Sequence, residues 1–353
     1  MMPRRRRRRT ASTAEARGAL AWSAMPATTT YDDDLNGPWT GQRVTVTGGA
    51  GFLGRRVVAR LQQAGALVSA PRSSEYDLTV PGTAEAMLDA LDPSVVIHLA
   101  ADVGGIGYNL DHPARLYLAN LLMGTHVIEA TRAAGVDKTV LVGTVCSYPK
   151  YTPVPFAEAD LWNGYPEETN APYGIAKKAH LIHAQVNEQQ YGQRFAYLIP
   201  TNLYGPGDKF HPSVSHVIPA LIKKCVEAKE SGAESVEVWG TGAASREYLY
   251  VDDAAAAIVR AAEVDVGAEP VNLGADREVT IRETVETIAE LVGFEGELRW
   301  DASKPDGQPR RAVDGSRALE LLDWTPSMDF ETGLRATIEW YLANRAEAER
   351  APH

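Results

Sequence analysis

The sequence predicts an α/β protein: a doubly wound parallel sheet with helices on both faces, followed by a smaller α/β lobe toward the C-terminus. Three observations carry this. Short apolar, β-branched runs alternate with helix-period stretches from Arg43 onward, the pattern of successive βαβ units. A glycine-rich turn joins the first strand to the first helix. Beyond Gly207 the strands become shorter and the alternation less regular.

Taken in order, RVTVTGGAGFLGRRVVARLQQAG reads as a strand, a glycine turn and a helix ending at Gly65. ALVSAP is a second strand, TAEAMLDAL a helix and SVVIHLAA a third strand. HPARLYLANLLMGTHVIEATRAAG is a long helix with an apolar face, and TVLVGT is the next strand. APYGIAKKAHLIHAQVNEQQYG is helical, and RFAYLIPTNLYGP is a strand running into a loop. The second lobe opens with the helix HVIPALIKKCVEAKESG, whose Cys225 shares an apolar face with Ile218, Leu221 and Ile222. SVEVWGTG is a strand, REYLYVDDAAAAIVRAAE a strand entering a helix, and PVNLG a short strand. TIRETVETIAELVG, ELRWD and DFETGLRATIEWYLANRAEAER close the chain as helix, strand and helix. The expected organisation is a disordered leader over 1–40, a first domain over 41–207 and a second lobe over 208–350. PVNLG is a candidate strand returning to the first sheet near 270–274.

Composition narrows the function. The 353 residues are 44% hydrophobic and 23% charged, ordinary for a globular protein, and no apolar run approaches the roughly 20 residues needed to span a bilayer. Net charge is −11, and outside the first 40 residues 28 basic side chains face 42 acidic ones, which argues against nucleic acid as a partner. The Arg4–Arg9 run is read as a disordered tail, or as sequence upstream of a later start at Met25. Two cysteines, Cys146 and Cys225, make neither a disulfide framework nor a metal-ligand spacing. With no export signal, the expected compartment is the cytoplasm.

TGGAGFLG places Gly48, Gly51 and Gly54 between strand and helix. Such glycines let a pyrophosphate approach the backbone, and the helix N-terminus offers amide donors to it. The second strand ends in SAPRSSEYD, with Arg72 and no adjacent acid. A guanidinium suits a 2′-phosphate, so NADP(H) is the expected cofactor, with NAD(H) as the alternative.

YGIAK sets Tyr173 and Lys177 four residues apart on one helical face. A neighbouring ammonium is expected to lower the phenol's proton affinity, and Thr144, at a strand end, is a candidate hydroxyl for the same substrate oxygen. On the residues alone, Cys146 also reads as a packed thiol and His216 as a loop histidine.

With these stretches, and with VIHLAADVGGI, CSYPK, PTNLYGPGDKFHPSVSHVIPALI, VWGTGAASREYLYVDD and KPDGQPRRAVD, the chain resembles the extended short-chain dehydrogenase/reductases with a Rossmann-type sheet. Within them it is most similar to the GDP-L-fucose synthase family of GDP-4-keto-6-deoxymannose epimerase/reductases. That resemblance spans roughly residues 43 to 340. It implies catalytic roles for Thr144, Cys146, Tyr173, Lys177 and His216, with Cys146 and His216 as the acid/base pair of epimerisation; His211 lies near, and the motif selects His216. The family's usual SSC is TVC here, so Thr144 and Val145 stand where serines are usual. The resemblance further implies cofactor contacts from Gly48, Gly51, Phe52, Leu53, Gly54, Arg72, Asp77, Leu78, Ala100, Ala101, Pro200, Asn202, Leu203 and His216, besides Tyr173 and Lys177. It implies GDP-sugar contacts from Asn202, Lys224, Trp239, Arg246 and Asp306, and a homodimer built on the two long helices.

The activity this implies is NADPH-dependent inversion at C3 and C5 and reduction at C4 of a GDP-4-keto sugar. Two other readings are a GDP-hexose or GDP-heptose 3,5-epimerase without net reduction, to which AADVGGIGYN is also similar, and a nucleotide-sensing module that has lost its chemistry.

Overall fold

Each buried apolar run of the N-terminal half becomes a parallel strand. In this computed structural model, residues 37–212, 214–304 and 308–350 are described; the Arg4–Arg9 run and Asp306 lie outside them. The chain enters through β1 (Arg43–Thr47), α1 (Phe52–Gln63), β2 (Leu67–Ser69), α2 (Thr83–Leu91) and β3 (Val95–His98). It continues with α3 (Ile106–Asp111), α4 (Pro113–Ala134), β4 (Lys138–Val142), α5 (Ala171–Tyr191) and β5 (Phe195–Pro200). Then follow β6 (Asn202–Tyr204), α6 (Val217–Ser231), β7 (Ser235–Trp239), β8 (Ser245–Tyr250), α7 (Val251–Glu263) and β9 (Gly267–Leu273). The last elements are β10 (Glu278–Thr280), α8 (Ile281–Val292), β11 (Glu297–Asp301), α9 (Ser316–Leu322), α10 (Phe330–Ala343) and α11 (Arg345–Ala348).

Six parallel strands form the main sheet in the order β2–β1–β3–β4–β5–β9. Burial on both faces explains why the inner strands β3, β4 and β5 read as apolar runs rather than alternating ones. The period of two still decides which layer each side chain joins. Val140 and Leu198 pack with Val57 and Ile258 of α1 and α7, whereas their neighbours Leu141, Tyr197 and Ile199 pack with Ile128 and Leu181 of α4 and α5.

The smaller lobe holds a three-stranded sheet, β10–β8–β6, and a parallel pair, β11–β7, around a core that includes Ile222, Cys225, Ile288 and Ile338. Cys225 is fully buried, and burial pushes its thiol up to about 11. RFAYLIPTNLY does not remain one strand. Pro200 has no amide to extend a ladder, and past Thr201 the chain leaves the main sheet so that Asn202–Tyr204 pairs with Tyr248–Tyr250. Among the described residues, no helix is long and apolar enough to cross a membrane.

Helices α4 and α5 pack closely because Gly124 leaves room for the ring of His180, whose Nε2 lies 3.2 Å from the Leu121 carbonyl. A Cβ at Gly124 would overlap that ring. Gly124→Val is therefore expected to lower the stability of the fold by about 1–3 kcal/mol, the range for overpacking, measured by urea denaturation.

Candidate active site

The glycine turn lies where the strand order reverses, between β1 and β3, the position at which doubly wound sheets hold ligands. Gly48 has φ of 71°, and a Cβ there would stand 2.7 Å from the Ala100 amide nitrogen at the end of β3. A Cβ on Gly54 would collide with the Gly48 carbonyl. Gly51 is the N-cap of α1 and no side chain caps the helix, which leaves the first amides, at Phe52, Leu53 and Gly54, for an anion. These features fit a dinucleotide pyrophosphate.

Other expected cofactor contacts surround this cradle. Arg72 is exposed three residues beyond β2, with its backbone amide donating to Glu75. Asp77 is exposed, and its carboxylate accepts from the Thr79 amide and hydroxyl, which hold it below the usual range. Leu78 is buried, while Ala100 and Ala101 are half-buried just past β3. Pro200 ends β5. Asn202 opens β6, with Nδ2 donating to the Glu247 carbonyl at 3.4 Å, and Leu203 follows it half-buried.

The reactive residues collect at the ends of β4 and the start of α5. Thr144 caps a short turn and accepts from the Cys146 amide at 3.2 Å. The first turn of α5 lies directly on this loop: a Cβ at Gly174 would strike the Cys146 carbonyl, and Ser147 Oγ donates to the Gly174 carbonyl at 3.0 Å. Lys177, one turn on, is buried, and its carbonyl accepts from Tyr197 Oη at 2.7 Å. Burial alone pulls its ammonium down to about 8. The neighbouring His98 and His180 are held low by burial first and by Lys177 second, so both stay neutral.

The expectation that Lys177 lowers the phenol is not met. Lys177 Nζ lies 5.9 Å from the Tyr173 ring centroid. Burial, and then the charge of Cys146, push Tyr173 above its ordinary value. The phenol is therefore held in its protonated form.

His216 is the exposed N-cap residue of α6. The loop after β3 abuts its neighbour, since a Cβ at Gly105 would lie 2.8 Å from the Ser215 carbonyl oxygen. Arg246, on β8, donates to the carbonyls of Ser245 and Gln308 at 2.6 and 2.7 Å. Trp239 is 62% exposed and has Lys224 and Lys304 over its ring at 5.9 and 5.5 Å. Lys224, Lys304 and Trp239 thus make a cationic, aromatic surface.

Two neighbours of the site were not singled out by the sequence. Arg311 Nη1 lies 3.8 Å from Cys146 Sγ, and Gln308 Oε1 accepts from Arg311 Nε and Nη2 at 3.2 and 3.1 Å. Both lie in KPDGQPRRAVD, about 160 residues from the cysteine in sequence, so only the segment and not its partner was readable.

The NAD dependent epimerase/dehydratase family matches residues 44–274. GDP-L-fucose synthase 1 of Arabidopsis thaliana is 44% identical over 303 residues, covering 86% of this chain and 94% of that protein. The chain belongs to the GDP-L-fucose synthase family of NAD dependent epimerases/dehydratases. The GDP-L-fucose synthase of Escherichia coli (strain K12) is 38% identical over 314 residues, covering 86% and 98%. A crystal structure of a GDP-L-fucose synthetase from Naegleria fowleri bound to NADP is 28% identical, with a TM-score of 0.78, covering 88% of this chain and 97% of its own.

For this GDP-L-fucose synthase family chain, Arg72 is exposed, so replacing it tests cofactor choice apart from folding. Arg72→Ala is expected to weaken NADPH binding roughly tenfold to hundredfold, the scale of a charge-assisted hydrogen bond, while NADH binding and melting temperature stay unchanged. Nicotinamide fluorescence titration reads both.

Proposed function

We propose that the protein inverts C3 and C5 of GDP-4-keto-6-deoxy-D-mannose, or a close GDP-4-keto sugar, and then reduces C4 with NADPH to give GDP-L-fucose. The single observation that carries this is the joining of Thr144, Cys146, Tyr173 and Lys177 around one loop and one helical turn, past the end of β4, two strands along the sheet from the glycine cradle at β1. Sequence relatives named GDP-L-fucose synthase at 38–44% identity support the substrate class.

The chemistry follows from the residue types. A 4-keto group acidifies the protons at C3 and C5. Cys146 takes a proton from one face of the ring, and His216 delivers one to the other; a thiol and an imidazole both exchange protons near neutral pH at little cost. Thr144 and Tyr173 donate to the C4 oxygen while it carries enolate charge. When bound over the glycine cradle, NADPH supplies the hydride for C4. Tyr173, held protonated, gives its proton to the C4 oxygen, and Lys177 stabilises the phenolate that remains. Arg246 offers a fork for the diphosphate, and Trp239 with Lys224 a face for the base.

The homodimer and the cytoplasmic setting belong to the same reading. Tyr117 and Leu118 on α4 and Ile182 and Val186 on α5 leave apolar side chains 41–54% exposed, a surface suited to a two-fold helix bundle.

The test combines two signals from one mixture of protein, NADPH and GDP-4-keto-6-deoxymannose in heavy water. Loss of nicotinamide absorbance together with deuterium at C3 and C5 is expected. Deuterium without NADPH oxidation would replace this reading with the epimerase lacking net reduction. Neither signal would leave a nucleotide-sensing module. A pH profile adds an independent check. Lys177 is cationic below about 8 and neutral above, so kcat/KM for C4 reduction, which reports the free enzyme, should fall along an alkaline limb centred near pH 8. Lys177→Met should lower the rate by about hundredfold and remove that limb.

A further inference from the structure

We propose that Arg311 is a positioning residue for the epimerisation base: its guanidinium is the counter-charge that faces the Cys146 sulfur when it gives up its proton. This rests on the reading of Cys146 as that base. Arg311 Nη1 stands 3.8 Å from Cys146 Sγ. The guanidinium does not reach the sulfur by chance of a free side chain. Nε and Nη2 both donate to Gln308 Oε1, at 3.2 and 3.1 Å, which fixes the plane of the fork and turns Nη1 toward the sulfur.

Gln308 is itself anchored to the cysteine's own loop. Its Nε2 donates to the Lys150 carbonyl at 3.0 Å, four residues past Cys146. On the other side, the Gln308 carbonyl accepts from Arg246, and the Arg311 carbonyl accepts from the Glu247 amide at 3.1 Å. Arg311 is thus tied to β8 through its backbone and to the Cys146 loop through Gln308. Lys177, the other cation of the site, has its Nζ 5.9 Å from the Tyr173 ring centroid. When Cys146 gives up its proton, the charge appears on a sulfur that already faces a fixed cation, which favours the reactive form.

The thiolate is read directly, without sugar or NADPH, by the rate of Cys146 alkylation with iodoacetamide against pH. Cys225 is fully buried and silent in the native protein, and a Cys146→Ser control identifies the signal. Arg311→Met is expected to slow alkylation at pH 7 by about three- to tenfold and to move the half-plateau point to higher pH. Arg311→Lys, which keeps the charge, should restore most of the rate. Gln308→Ala, which frees the fork but keeps the cation, should fall between them and serves if the Met variant does not fold. An unchanged profile in Arg311→Met, or in Gln308→Ala if only that variant folds, overturns the proposal. An equal loss in Arg311→Lys and Arg311→Met overturns it too, because shape and not charge would then be responsible. Because the measurement needs no turnover, its failure leaves the proposed reaction standing, and failure of the reaction leaves the thiol–guanidinium coupling measurable.

Discussion

The buried carboxylate of Glu247 is the constraint on which the rest of the site depends. It lies on β8 and accepts three backbone amides, from Ala275 at 2.6 Å, Asp276 at 3.0 Å and Val313 at 2.9 Å. Burial raises its proton affinity, and the three amides oppose that rise. A buried acceptor of this kind is worth keeping because each amide it satisfies would otherwise be left unpaired, at about 1–3 kcal/mol apiece. The geometric result matters more than the energy. One side chain binds the loop leaving the main sheet after β9, the small sheet through β8, and the segment that carries Arg311. Backbone bonds continue the work: the Ser245 amide donates to Pro309, and the Phe156 amide to Ala312. Residues 309–313 are thereby held between β8 and the loop beyond Cys146.

A second buried polar hub secures that loop from below. Asn272, on β9, accepts from Tyr148 Oη at 2.7 Å and donates to the carbonyls of Phe156 and Asp314 at 2.9 and 3.2 Å, while its amide donates to Glu158. Fully satisfied networks in a low-dielectric interior hold one arrangement, because every alternative strands a polar group. Cys146 therefore stands in a short 3-10 turn held by the Thr144 cap before it, by Gly174 of α5 packed against it, and by Tyr148 and Phe156 after it.

Which parts of this were legible in the sequence follows from the range of the forces involved. The main sheet was readable because double-sided burial demands apolar runs such as Val95–His98 and Phe195–Pro200, and the cradle because Gly48 and Gly54 stand where no Cβ fits. Tyr173 and Lys177 share a helical face by spacing alone. The break after Pro200 was not readable, since the partner of Asn202–Tyr204 is a strand some forty residues on. Nor was the contact between Gly124 and His180, which belongs to a helix pair. Arg311 was hidden for the same reason: KPDGQPRRAVD announces a loop, but Glu247 and Gln308 decide what the loop touches.

The direction of the Tyr173 shift shows how local spacing misleads when burial is ignored. A lysine four residues away suggests a phenol made more acidic, yet burial and the adjacent sulfur make it less so. That outcome suits a two-stage reaction better than the simpler expectation. A thiol and a phenol sharing one small site compete to carry negative charge. In the proposed reaction the phenol stays protonated while the sulfur acts as base, and a protonated phenol is the form that can later donate to the C4 oxygen. The cations are divided to match. In the proposed reaction Lys177, with His98 and His180 neutral beside it, is on hand for the phenolate left after donation, and Arg311 faces the sulfur of the base. In the proposed reaction the base thus has Arg311 Nη1 3.8 Å from its sulfur, and the later proton donor has Lys177 Nζ 5.9 Å from its ring centroid.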